Sequence, residues 1–153
     1  KASMNETERE EFLSRFDSEQ NENCLLGFCV MGGIFSEGID LKQDRLIGTV
    51  IVGTGLPMVC DERELLKECY ADEGLAGFDY AYRYPGMNKV LQAAGRVIRT
   101  AEDIGVVVLL DDRFLSYAYQ KMYPREWKNY RVCNIQNIGS CVEQFWNAHE
   151  GRE

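Results

Sequence analysis

The residues with the clearest chemical purpose are two arginines. "QAAGRVIRT" (residues 92–100) sets Arg96 and Arg99 beside Gly95, with Gln92 ahead of them and no acid in the stretch. On a helix, Gln92, Arg96 and Arg99 fall at i, i+4 and i+7 and share one face. Val90, Leu91, Ala94, Val97 and Ile98 would bury the remainder. Gly95 costs about 1 kcal/mol relative to alanine inside a helix, so the sequence keeps room for a close approach there. A guanidinium offers a planar fork of donors and stays charged, which suits it to clamp an anion. From spacing alone, a solvated basic face or ion pairs to the acidic segment 60–79 is the simpler explanation. That segment holds seven acids against two bases, and residues 80–101 hold four bases and no acid.

A second stretch, "GGIFSEGIDL" (residues 32–41), combines Gly32, Gly33 and Gly38 with Ser36, Glu37 and Asp40. Its glycines allow backbone to approach a ligand closely. It matches neither the phosphate-loop pattern nor the dinucleotide fingerprint, and a glycine-rich turn with solvated acids explains it equally well. In "LDDRF", Asp111 and Asp112 lack a second acidic motif, so no metal ligands are assigned. Arg113 and the bases of "KMYPREWKNYR" could contact phosphates, with Trp127 and Tyr130 as stacking surfaces. Packing of those aromatics against the sheet is the simpler alternative. His149 is expected in solvent. With one histidine and no C-x-x-C pair among six cysteines, zinc has little to bind. Free thiols in a reducing cytoplasm are expected, with Cys24 and Cys29 as small core residues.

The elements that must position these groups follow from hydrophobic pattern. At 153 residues, 45% hydrophobic and 27% charged, the chain fits one globular domain, residues 1–153. No apolar run approaches the roughly 18 residues of a membrane span. The net charge of −8 argues against a protein that coats nucleic acid, though not against a local basic face. "ENCLLGFCVMGG", "RLIGTVIVGTGLP" and "IGVVVLLDDRF" read as three buried strands. Between and around them, "NETEREEFLSRF" predicts a helix capped at Asn5 or Thr7. "DERELLKECYADEGL" predicts one ending near Gly74, and "YPGMNKVLQAAGRVIRTAED" a longer one starting near Pro85 or Gly86. Residues 115–153 predict C-terminal helices with a turn at Pro124. Apolar strands alternating with helices imply a mostly parallel sheet covered on both faces, with ligands outside the strands' carboxyl ends. The chain opens on Lys1 and a polar helix, so an N-terminal strand is expected ahead of it.

In order and spacing, "GGIFSEGIDL", a strand and "GLP", "QAAGRVIRT", and "DDRF" resemble the second motor domain of superfamily 2 helicases of the DinG/XPD type. The resemblance covers residues 24–114, and it leans to the bacterial DinG enzymes over the eukaryotic repair enzyme. It implies a RecA-like, three-layer α/β domain of the P-loop NTPase kind, lacking its N-terminal strand. Residues 32–41 resemble motif V. That implies Glu37, Gly38 and Asp40 at the ATP side and Ser36 at the nucleic acid. Residues 92–100 resemble motif VI. That implies Gln92 and Gly95 at the nucleotide, Arg96 and Arg99 as catalytic arginine fingers, and Arg113 on nucleic acid. ATP and magnesium would be held mainly by a first RecA-like domain of the same polypeptide, with single-stranded DNA as the other partner. No Walker A sequence, acidic box or iron–sulfur cysteine cluster is present. The chain alone is therefore expected to be inactive, as part of a cytoplasmic ATP-dependent DNA helicase in repair or replication. The rival is a non-catalytic RecA-like domain that binds a protein or nucleic acid; a dehydrogenase fails for want of its glycine fingerprint.

Overall fold

The computed structural model describes residues 4–16, 24–33, 46–98, 100 and 103–149. Two of the three apolar runs pair. Strands β1 (Gly48–Val52) and β2 (Val106–Leu110) run parallel, in register from Gly48 opposite Val106 to Val52 opposite Leu110. Parallel neighbours need a long crossover. Here it contains helix α2 (Asp61–Asp72), a π-helical turn (Asp79–Arg83) and helix α3 (Tyr84–Ala94). The result is a mixed α/β domain of RecA-like type around a small parallel sheet.

Helix ends follow local chemistry. Helix α1 (Glu6–Ser14) starts at Asn5, whose side chain accepts from the Glu8 amide at 2.8 Å while Glu8 accepts from the Asn5 amide at 3.1 Å. Helix α2 ends at Gly74, which takes φ +77°, a value that favours glycine. There the Leu75 amide donates to Tyr70 O and the Gly74 amide to Ala71 O, both at 2.9 Å, satisfying two orphan carbonyls.

Amphipathic α3 supplies half of the central core cluster. Met87, Val90 and Ala94 are buried against Ile51 of β1, Phe114 and Tyr119, with Met31, Tyr123 and Trp127 packed at the edge. Helix α2 is tied to the π-helical turn by Tyr82 Oη donating to Glu64 at 2.6 Å and Arg63 donating to Ala81 O at 2.8 Å.

Three expectations are corrected. Residues 24–30 form no strand: Leu26, Phe28 and Val30 are 73%, 89% and 77% exposed, and Cys24 and Cys29 are exposed rather than in the core. The segment joins no ladder and lies where Gly27 meets the Phe12 and Phe16 rings. The helix expected to continue through Arg99 stops at Ala94. The helix expected from Arg113 onward is broken at Ser116, which is extended (φ −80°, ψ 146°). Ser116 separates a 3₁₀ turn (Asp112–Leu115) from the four-residue helix α4 (Tyr117–Gln120). A second 3₁₀ turn (Arg125–Asn129) follows Pro124, and helix α5 (Ile138–Asn147) comes last.

Candidate functional site

Helix α3 runs antiparallel to the strands it packs on, which fixes the rim of the sheet that each end occupies. Its start lies at the carboxyl rim, where a Cβ on Gly86 would stand 2.7 Å from Thr54 O, just past β1. Its end lies at the amino rim: Val97 packs where a Cβ on Gly105 would sit, beside Ile47 O, just ahead of both strands. Residues 92–98 therefore end at the amino rim, not in the carboxyl-end loops where chemistry was expected.

The turn owes its shape to hydrogen-bond tightening. Gly95 caps α3 with φ −66°, its amide donating to Leu91 O at 2.8 Å. The next amides shift to partners three residues back, Arg96 to Ala93 O at 3.3 Å and Val97 to Ala94 O at 3.1 Å. Gln92 is exposed on the last turn of α3, Gly95 is exposed, and Arg96 is half-buried. Arg96 thus lies on the turn that follows α3, and Gln92 on the last turn of the helix. Arg99 lies outside the described residues, as do Ser36, Glu37, Gly38 and Asp40. Gly32 is described with φ +79°, and the Lys89 side chain lies 3.5 Å from where its Cβ would stand.

Arg113 sits at the opposite, carboxyl rim. Its Nε and terminal nitrogen donate to Asp111 Oδ1 and Oδ2 at 2.9 and 2.7 Å, and its amide also donates to Oδ1 at 2.9 Å. This fork on the carboxylate holds Asp111 below its ordinary pKa and raises that of Arg113. The Arg113 side chain remains 51% exposed, so one face of the guanidinium still meets solvent. No trio of metal-ligating side chains occurs among the described residues.

Sequence reasoning passed over an aromatic and ionic cluster at the same rim. Asp79 pairs with Arg83 and, at 3.5 Å, with Lys121, while Arg83 lies 5.4 Å from the ring centres of both Phe78 and Tyr119. The i, i+4 spacing of Asp79 and Arg83 was the available signal. Its link to Lys121, 42 residues on, carried none.

The mixed α/β fold around a small parallel sheet is that of a RecA-like domain. A helicase C-terminal domain family matches residues 2–130, and the chain belongs to that family, as the C-terminal domain of a DinG/XPD-like superfamily 2 helicase. It is 36% identical over 121 residues to a Regulator of telomere elongation helicase 1 homolog of Caenorhabditis elegans, covering 73% of this chain and 12% of that protein. It is 29% identical over 137 residues to a Fanconi anemia group J protein homolog of Gallus gallus, covering 86% and 11%. It is 28% identical over 159 residues to a probable ATP-dependent helicase of Methanocaldococcus jannaschii, covering 94% and 24%. The chain thus spans between 11% and 24% of these three relatives. They are eukaryotic and archaeal, and they lend the expected leaning toward bacterial DinG enzymes no support. No helix among the described residues is long and apolar enough to cross a membrane.

Proposed function

We propose that this domain is the second motor unit of an ATP-dependent DNA helicase, with its amino rim turned to nucleotide and its carboxyl rim to nucleic acid. The observation that carries this reading is the turn of residues 95–98 on the amino rim, anchored by the buried helix α3. Gln92 and Arg96 form a donor set that suits a triphosphate. ATP, with its magnesium, supplies a phosphoanhydride whose hydrolysis gathers negative charge on the γ-phosphoryl oxygens.

Arg96 and Arg99 would place positive charge at those oxygens, a contribution worth about 10³–10⁵ in rate when an arginine is supplied from a separate domain. Gln92 and Gly95 would shape the nucleotide edge, with Glu37, Gly38 and Asp40 beside them. Ser36 and Arg113 would hold single-stranded DNA. Because the fingers and the bound nucleotide sit on different domains, hydrolysis depends on closure, and the chemical cycle becomes movement along the strand. The chain by itself would not turn over ATP.

The test is Arg96→Ala and Arg99→Ala in the full-length protein. DNA-stimulated ATP hydrolysis should fall at least 10³-fold in each while oligonucleotide affinity stays within about threefold. Equal loss of DNA binding and ATP hydrolysis would assign the arginines a structural role.

A further inference from the structure

Past the carboxyl rim, the chain builds a cleft that neither arginine motif explains. It encloses about 240 Å³ between the rings of Tyr123, Trp127 and Tyr130, with Pro124 on its wall and Arg125 and Lys128 at its edge. Tyr123 meets Trp127 edge-on at 5.3 Å and Tyr130 edge-on at 5.7 Å, so the three rings form a corner rather than a closed stack. Trp127 is half-buried and Tyr130 is 49% exposed, leaving ring surface to the cleft.

The corner is held in place from both sides. Tyr123 Oη donates to Phe114 O at 2.9 Å, fastening the cleft to the turn that carries Arg113. Gln120 Nε2 donates to Tyr130 Oη at 2.9 Å and to Leu115 O at 3.1 Å. Gln120 Oε1 is left to accept and the Tyr130 hydroxyl proton to donate, a polar pair able to meet the edge of a planar heterocycle. The charge is local and out of character for the chain: residues 121–131 carry four bases and one acid in a protein of net charge −8. Arg125 and Lys128 make no ion pair with a described carboxylate.

We propose that this cleft binds one nucleotide of a single-stranded nucleic acid, its base stacked on Trp127 or Tyr130 and its flanking phosphates met by Arg125 and Lys128. Aromatic faces accept any base, and cations spaced along the groove follow the backbone, the combination by which single strands are held without sequence preference. An aromatic corner with a proline wall also fits a proline-rich peptide. The two cations and the fastening to the Arg113 turn favour the polyanion. The inference rests on the motor reading and extends it. The nucleic-acid track would continue from the carboxyl rim onto the segment after α4, and the base, not only the phosphate, would be gripped there.

The experiment compares binding of a labelled oligothymidylate and an abasic strand of equal length by the full-length protein, using fluorescence anisotropy. Tyr130→Leu, an exposed change, should weaken the oligothymidylate about tenfold and leave the abasic strand unchanged. Trp127→Phe should preserve both affinities, because a phenyl ring still stacks. Arg125→Ala combined with Lys128→Ala should weaken both strands and reduce the salt slope by about 1.4, the loss of two phosphate contacts on a single strand. Equal effects of Tyr130→Leu on the two strands, or none on either, overturn the proposal. So does a proline-rich peptide that Tyr130→Leu releases while oligonucleotide affinity holds. Wild-type protein that neither hydrolyses ATP nor binds either strand overturns the motor reading instead. Wild-type protein that does both, with Tyr130→Leu indistinguishable from it, overturns the cleft alone.

Discussion

Helix α3 buries Met87, Val90 and Ala94 to within 4% of complete, whereas residues 24–33, no less apolar, leave Phe28 89% exposed. The contrast comes from what each segment packs against. A helix satisfies its own amides and can present an apolar stripe to any surface that fits, and α3 lays its stripe on Ile51, Phe114 and Tyr119. Residues 24–30 join no ladder and leave Leu26, Phe28 and Val30 exposed. Ladder bonds alone do not bury a side chain either: Val50, Val52 and Leu110 are paired in the sheet and still about 60%, 68% and 58% exposed. Hydrophobicity selects candidates for the core, and an opposing packed surface decides which of them enter it.

Substitutions of the two segments should separate most widely in stability. Met87→Ala should cost about 2–5 kcal/mol in urea unfolding, while Phe28→Ala, which removes more carbon, should cost no more than about 0.5 kcal/mol. Comparable losses would break the contrast. Two glycines sharpen it. A Cβ on Gly86 would meet Thr54 O at 2.7 Å and Leu56 N at 3.0 Å, so Gly86→Ala should destabilise by about 1–3 kcal/mol, as overpacking does. A Cβ on Gly139 in α5 would meet nothing within 4 Å, so Gly139→Ala should stabilise by up to about 1 kcal/mol.

Smaller still is the pH response of the link between α2 and the π-helical turn. Hydrogen bonds from Lys67 and Tyr82 hold Glu64 below its ordinary carboxylate range. Folding therefore favours its charged form, a contribution present above the ordinary carboxylate pKa and lost as pH falls through the depressed one. The same contact, chiefly the hydrogen bond to Glu64, pushes Tyr82 up to about 12, so its contribution is complete below pH 10 and fades as pH rises through about 12. Melting temperature against pH should fall less steeply in acid for Glu64→Gln than for wild type; superimposable acid limbs would refute the link. The smallest effect belongs to Arg113→Ala. Its pair with Asp111 is half exposed and should be worth under about 1 kcal/mol in stability.

A parallel sheet, the α2 stop near Gly74 and a cap at Asn5 or Thr7 were legible in pattern: apolar, β-branched runs alternating with helices, a glycine at a helix end, and a capping residue ahead of a helical stretch. The structure chose Asn5 and two of the three strands. The end of α3 was not legible. "AAGRVIRT" keeps helical periodicity past Ala94, and only the switch to i−3 hydrogen bonding at Arg96 and Val97 turns the chain. The helicase family was legible in these motifs, but the rim that holds residues 92–98 was not, since that depends on how a crossover helix lies across its strands. The aromatic corner after α4 was visible as composition; its fastening to Phe114 O and Leu115 O needed the fold.

The central claim is that Arg96 and Arg99 offer a nucleotide held elsewhere a charged, planar fork of donors. The most direct measurement is kcat at saturating ATP and oligonucleotide for Arg96→Lys and Arg99→Lys in the full-length protein. An ammonium keeps the charge but loses the fork. Kcat should fall at least 10²-fold with oligonucleotide affinity unchanged. A kcat within threefold of wild type in both variants would contradict the account.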